Sequence, residues 1–231
     1  MFYFDPMYLV FALPGLLLAL YASFLTKSTF NKYSQVASSL GMTGAQAAKR
    51  MLSQAGVDNV TIEETGGFLS DHYDPMSKKL RLSPSVYRSN SLAAIGVACH
   101  EAGHALQHAH GYAPLHLRTA LVPATNISSW LSYIVITMGF LFHSQQFILV
   151  GAAIFSAAVL FSIITLPVEW DASNRAKLLM VKTGVVTERE SLAAGKVLNA
   201  AFLTYVASAV SSVLTLLYYL MRAGVFRGGD D

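Results

Sequence analysis

The sequence predicts a mainly α-helical membrane protein, with four transmembrane helices and a small cytoplasmic α+β segment carrying a metal-binding helix. Three observations predict it. The 231 residues are 54% hydrophobic and only 13% charged, against roughly a quarter charged in a typical soluble domain, and the mean hydropathy is +0.47. Long uncharged stretches recur along the chain. Between them, two histidines four residues apart flank a glutamate inside an apolar helical run.

The first uncharged stretch holds 21 residues between Asp5 and Lys27, and a bilayer core needs about 20 apolar residues in a helix. No basic residue precedes it and Asp5 stands where a signal peptide has positive charge, so an uncleaved span is expected. Pro14 and Gly15 are tolerated in such a helix. A second stretch of 50 residues between Arg118 and Glu169 suits two spans, broken at the polar run His143, Ser144, Gln145 and Gln146. The last stretch holds 25 residues between Lys196 and Arg222, with Tyr218 and Tyr219 where an interfacial aromatic belt is expected. Small-residue faces at 151–158 and 207–212 permit close helix packing, within the chain, in a homo-oligomer or against another membrane protein.

The expected divisions are 1–26 as the first span, 27–118 as a cytoplasmic segment and 119–168 as a transmembrane hairpin. Residues 169–199 then form cytoplasmic helices, and 200–231 a fourth span with a short tail. Nine basic residues fall within 27–118 and five within 169–199, so 14 of the 16 lie on one side. The positive-inside rule makes that side cytoplasmic. The formal charge of +3 is too small to argue for a nucleic-acid partner; the expected partners are a lipid bilayer and a peptide or protein substrate.

Within 27–118, residues 34–40 are expected to be helical. Thr43 caps a helix to about Gln54, ended by Gly56. Strands are expected at 59–64, 68–73 and 79–83, with turns at Gly66-Gly67 and Asp74-Pro75. This small β-element offers an edge to an extended peptide. Ser89 or Ser91 caps the next helix, Leu92 to about Ala109, which stops at Gly111, while Pro114 discourages early resumption. A further helix is expected from Glu169 to about residue 181, behind Pro167.

The helix from Leu92 carries His100-Glu101-Ala102-Gly103-His104. A spacing of four stacks both imidazoles on one face, where two nitrogens reach one ion. Glu101 lies off that axis, placed to take a proton from water activated by the metal. A glutamate in an apolar helix is costly without a partner or a task, and Gly103 removes a side chain beside the site. The expected cofactor is one catalytic Zn2+, with His100 and His104 as ligands and Glu101 as general base. Leaving one position open for water requires a third protein ligand. Glu169, the first charge after fifty uncharged residues and on the same expected side as His104, is the strongest candidate, although an interfacial charge would stand there too. Asp171 suits either the support of a ligand histidine through its other nitrogen or a helix-start carboxylate. Arg175 suits oxyanion or substrate C-terminus binding, or a surface position. His72 and Tyr73 are candidates for contact with substrate or developing charge. His108 is placed as an outer or substrate-side residue, because successive turns rise about 5.4 Å. His110 and His116 read as solvated or interfacial. The lone Cys99 reads as buried and inert, although thiolates bind zinc.

Taken together, Ser70-Asp71-His72-Tyr73-Asp74-Pro75, Lys79-Leu80-Arg81-Leu82-Ser83 and the run from Ala94 to His108 resemble the bacterial neutral zinc metallopeptidases of the YugP type, over nearly the whole chain. More distantly, the chain is similar to the gluzincin membrane peptidases of the HtpX kind, which pair HExxH with a later E-x-x-A-D. Here that stretch is Glu169-Trp170-Asp171-Ala172-Ser173, with Ser173 where the pattern has aspartate. The resemblance implies a minimal zincin-like domain and membrane-linked proteolysis facing the cytosol, in a bacterial inner membrane. The departure at Ser173 leaves the support of a ligand histidine to Asp171 or Ser173.

Three other readings compete. A site-2-type intramembrane protease takes its third ligand from an aspartate within a later span, and none exists between Arg118 and Glu169 or between Lys196 and Arg222. A membrane scaffold or assembly factor with a retained zinc site would have no need of Glu101. A transporter would need charged relays inside its spans.

Overall fold

The computed structural model describes residues 5–67 and 70–226. They form seven helices and three short strands, in the order α1 (Pro6–Ser34), α2 (Gly44–Gln54), β1 (Thr61–Glu64), β2 (His72–Asp74), β3 (Lys79–Leu82), α3 (Pro84–Tyr87), α4 (Leu92–Ala109), α5 (Ala113–Leu141), α6 (Gln145–Lys182) and α7 (Glu188–Arg222). Helices α1, α5, α6 and α7 are long and apolar enough to cross a membrane. At most 22% of their most apolar windows is buried within the molecule. Apolar surface left outward on that scale suits lipid rather than water, and it makes this a membrane-associated, mainly helical protein with a small mixed sheet.

One compact unit comprises residues 1–21, 117–166 and 204–231. Helices α5 and α6 form a hairpin turned at Phe142–Ser144, where His143 has φ 51°. Their backbones approach closely at glycines: a Cβ on Gly139 would lie 2.7 Å from Ile148 Cγ1, and one on Gly151 would strike Ile136. Ser162 and Ser212 hydroxyls bond at 2.8 Å between α6 and α7, and Ala207 is buried. The small-residue faces thus pack within the chain, as small residues do between apolar helices.

The second unit comprises residues 22–116 and 167–203. Its core gathers Met51 and Leu52 of α2, Leu80 and Leu82 of β3, Ile95, Ala98, Ala102 and Leu106 of α4, and Ala176 and Met180 of α6. Helix α2 opens with a capping box, Thr43 accepting from the Gln46 amide while the Gln46 side chain accepts from the Thr43 amide. The sheet order is β1-β3-β2, with β1 parallel and β2 antiparallel to β3. Asp74 Oδ1 accepts from the Met76 amide at 2.9 Å, which holds the β2–β3 turn and leaves Lys78 at φ 52°.

Four expectations change. Residues 35–40 are not helical, because their backbone pairs with the approach to α4: Ser38 N donates to Asn90 O at 2.9 Å and Leu92 N to Val36 O at 2.8 Å. The strand expected at 68–73 is confined to His72–Asp74, with Phe68 and Leu69 outside the described residues. Asp71 stays out of the ladder by accepting from Ser83 N at 2.8 Å. Pro167 does not interrupt α6, which continues from the expected span through the helix expected at Glu169; a proline removes one donor, and a long helix tolerates that. Likewise α7 is continuous from Glu188, so no helix ends at 199.

Helix α4 is the centre of the second unit. Ser91 Oγ accepts from Ala94 N at 3.2 Å, and Gly111 at φ 64° follows the last turn. Its residues are buried on all sides from Leu92 to Cys99 except Val97. The crossing with α6 occurs at Gly103, where an added Cβ would lie 2.6 Å from the Ala172 carbonyl oxygen. Only glycine permits this approach.

Candidate metal centre

The close crossing at Gly103 brings Glu169 of α6 over the histidine face of α4. Glu169 Oε2 lies 3.1 Å from His100 Nε2 and 3.5 Å from His104 Nε2. The two rings stand 4.7 Å apart, nearly perpendicular, with an interplanar angle of 82°. One ligand atom from each of the three residues lies within 4.8 Å of the others. The Glu169 side chain is only 2% exposed and His104 9%, and a buried carboxylate facing two imidazoles invites a cation.

Both outer ring nitrogens are held. His100 Nδ1 lies within hydrogen-bond distance of Ser173 Oγ, at 3.1 Å. His104 Nδ1 donates to Gln107 Oε1 at 2.9 Å. The Gln107 amide is fixed in turn, its Nε2 donating to Val168 O at 2.7 Å and to Asp171 Oδ2 at 2.9 Å. A metal bound at Nε2 requires each ring proton on Nδ1, the arrangement that the Gln107 Oε1 acceptor favours at His104 and that Ser173 Oγ can accept at His100. Two imidazole nitrogens and one carboxylate oxygen, with a fourth position open, are the donor set of a catalytic zinc. The residues fit that ion. Burial by itself disfavours the His104 imidazolium, but Glu169, then Glu101, outweighs it and raises the group above its ordinary value. The site is therefore negatively biased, as cation binding requires.

Glu101 adjoins His100 on α4 and is partly exposed. Asp171 does not touch a ring but steadies His104 through Gln107. Arg175 Nε pairs with Asp171, its Nη1 donates to His110 Nδ1 at 3.1 Å, and its guanidinium lies 5.7 Å from the centre of the Tyr112 ring. Ser173 supports His100, so α6 delivers Glu169, Asp171 and Ser173 within five residues. His72 is exposed and turned to its own strand region, with Nδ1 donating to Ser70 O at 2.7 Å and Arg81 Nη1 3.4 Å from Nε2. Tyr73 meets His108, not the metal cluster, with its OH 2.9 Å from His108 Nδ1. His116 stacks edge-on against His108 at 5.7 Å. Cys99 is fully buried outside the cluster, and burial pushes its thiol up to about 12.

Sequence reasoning missed Gln107. Its signal was present: a glutamine three residues after His104, on one helix face with it, in an apolar helix that has no use for an unpaired amide.

The comparisons agree with this chemistry. The chain is 43% identical over 225 residues to the "Putative membrane protease YugP" of Bacillus subtilis (strain 168), covering 97% of this chain and 99% of that protein. No solved structure matches. Residues 8–224 match the family described as "Putative neutral zinc metallopeptidase", and the chain belongs to that family.

Proposed function

We propose that this protein is a zinc-dependent membrane metalloendopeptidase acting on unfolded or membrane-associated proteins, with one Zn2+ held by His100, His104 and Glu169. The convergence of these three side chains, from residues 69 apart in sequence, supports the reading most directly. Zinc bound there would act as a Lewis acid on the scissile carbonyl and would acidify an attacking water. Glu101 is the general base: one helix position from His100, it takes the proton from that water and delivers it to the departing amine. Gln107 and Ser173 fix the imidazole orientations throughout. Helix α4 with the small sheet forms a minimal zincin-like domain of the gluzincin type.

The placement of 14 of 16 basic residues in the 27–118 and 169–199 segments supports a multi-pass protein of the bacterial inner membrane with its active site facing the cytoplasm. The proposed divisions are spans within 1–26, 119–168 and 200–231, separated by cytoplasmic segments. The partners proposed are a peptide or protein substrate and the bilayer, with room for a homo-oligomer or a membrane protein partner.

The test is cleavage of an unfolded model protein by the purified, zinc-loaded chain in lipid, beside Glu101→Gln. Loss of cleavage with zinc retained supports the assignment of the base. Equal activity of the two proteins rejects it, and inactivity of both with zinc bound favours a zinc-stabilised scaffold.

A further inference from the structure

A cavity of about 480 Å3 opens beside α4, lined by Gly56–Val60, Tyr73, Lys78, Ala105, His108 and Ala109. None of these residues belongs to the metal cluster. We infer that this cavity is a subsite for a substrate carboxylate, held by Lys78 and His108 with Tyr73 positioning the histidine; the inference rests on the peptidase reading above.

Two basic side chains, Lys78 and His108, and one acidic side chain, Asp58, line the cavity. Lys78 is projected from the β2–β3 turn by a left-handed backbone, φ 52°, and among the described residues it makes no ion pair. The Tyr73 hydroxyl lies 2.9 Å from His108 Nδ1; with the hydroxyl as the donor, the ring proton of neutral His108 sits on Nε2. Burial, then His116 and Lys78, hold His108 below its ordinary value, while burial and Asp74 raise Tyr73 and keep it a donor. The neighbours of His108 therefore repel a further positive charge, and an incoming carboxylate relieves that repulsion. Asp58 is the acidic residue of the lining; it is exposed, and among the described residues it does not pair with Lys78.

Position relates the cavity to the cleavage chemistry. Ala105 and His108 follow His104 by one and four residues on the same helix, so His108 lies roughly 6 Å along the axis from the ligand. An extended peptide advances about 3.3 Å per residue, which sets the bound carboxylate within about two residues of the scissile bond. Two sources have this chemistry: the C-terminal carboxylate of a peptide, and an internal Asp or Glu side chain.

The test uses the full chain in lipid with zinc. Fluorescent peptides are compared as free acid against C-terminal amide, and with Glu against Gln scanned over six internal positions. Equilibrium binding is measured on Glu101→Gln, so that it does not depend on turnover, and cleavage is measured on the active protein. A charge-assisted contact predicts roughly tenfold tighter binding of the carboxylate peptide. Lys78→Met is expected to abolish that preference while leaving the amide peptide unchanged, and Lys78→Arg to keep most of it. Preference for the free acid alone assigns the C-terminus; preference for Glu alone assigns a side chain. Equal binding of acid and amide, equal weakening of both by Lys78→Met, or no binding of any peptide overturns the subsite. No cleavage with the binding preference intact overturns the peptidase reading instead.

Discussion

Replacing Gly103 with alanine tests whether the α4–α6 crossing sets the metal centre. The new Cβ would sit 2.6 Å from the Ala172 carbonyl oxygen and 3.2 Å from Ala172 Cα. An ordinary carbon–oxygen contact is about 3.3–3.6 Å, so the helices must separate by roughly 0.7–1 Å. Both of these Ala172 atoms belong to the backbone and cannot rotate away. Two effects oppose each other in stability. Alanine gains about 1 kcal/mol of helix propensity over glycine, whereas overpacking costs about 1–3 kcal/mol. The net loss is small, about 0–2 kcal/mol, and the chain should fold. The centre has no such offset, because Glu169 sits three residues before Ala172 and moves with it. A displacement of about 1 Å costs on the order of 10²-fold in a positioned site. Zinc affinity is read by chelator competition, folding by thermal unfolding of the zinc-free protein, and activity by cleavage in lipid. Gly103→Ala should unfold close to the wild-type temperature and lose at least tenfold in zinc affinity with a larger fall in cleavage. A variant that binds zinc and cleaves as wild type does would refute the claim that this contact fixes Glu169.

Two further outcomes follow from the surroundings of the site. Gln107→Leu removes the acceptor from His104 Nδ1 and the donor to Val168 O and Asp171; zinc affinity should fall about 10–100-fold, with Ser173→Ala giving a smaller fall at His100, and unchanged affinity in chelator competition would count against both roles. The Cys99 thiol, pushed up to about 12 from 9.0, stays neutral in the folded chain while it ionises in the unfolded one. Stability should thus decline between about pH 9 and 12, by up to about 1.4 kcal/mol per pH unit. That component should disappear in Cys99→Ala, and native protein should resist iodoacetamide until unfolded.

The sequence already contained the two histidines, their glutamate and Glu169, because each is a charge or ligand placed where an apolar stretch makes it conspicuous. The α4 boundaries were equally legible, since Ser89 or Ser91 offers a local start signal and Gly111 a stop signal. What was not legible depended on partners distant in sequence. Residues 34–40 carry no breaker until Gly41, and only pairing with Asn90 and Leu92 pulls them out of a helix. Pro167 read as a boundary because local sterics disfavour it within helices, but α6 runs on through it. Asp171 was open between the support of a ligand histidine and a helix-start carboxylate; it reaches His104 through Gln107, and a bridging amide has no spacing rule of its own.

The metal centre is divided along the chain in a way that bears on how the protein is made. Helix α4 emerges from the ribosome with His100 and His104 but without Glu169, which follows His100 by 69 residues, and without Ser173, the group that orients His100. All of the α6 contributions lie beyond the apolar stretch of the α5–α6 hairpin. A chain that has not yet completed that hairpin therefore lacks Glu169, the Ser173 contact to His100, and the Val168 and Asp171 acceptors that anchor Gln107. On the peptidase reading proposed above, such a layout would confer latency: the ligand set is complete only once α6 has been made, after the N-terminal segments of the same chain.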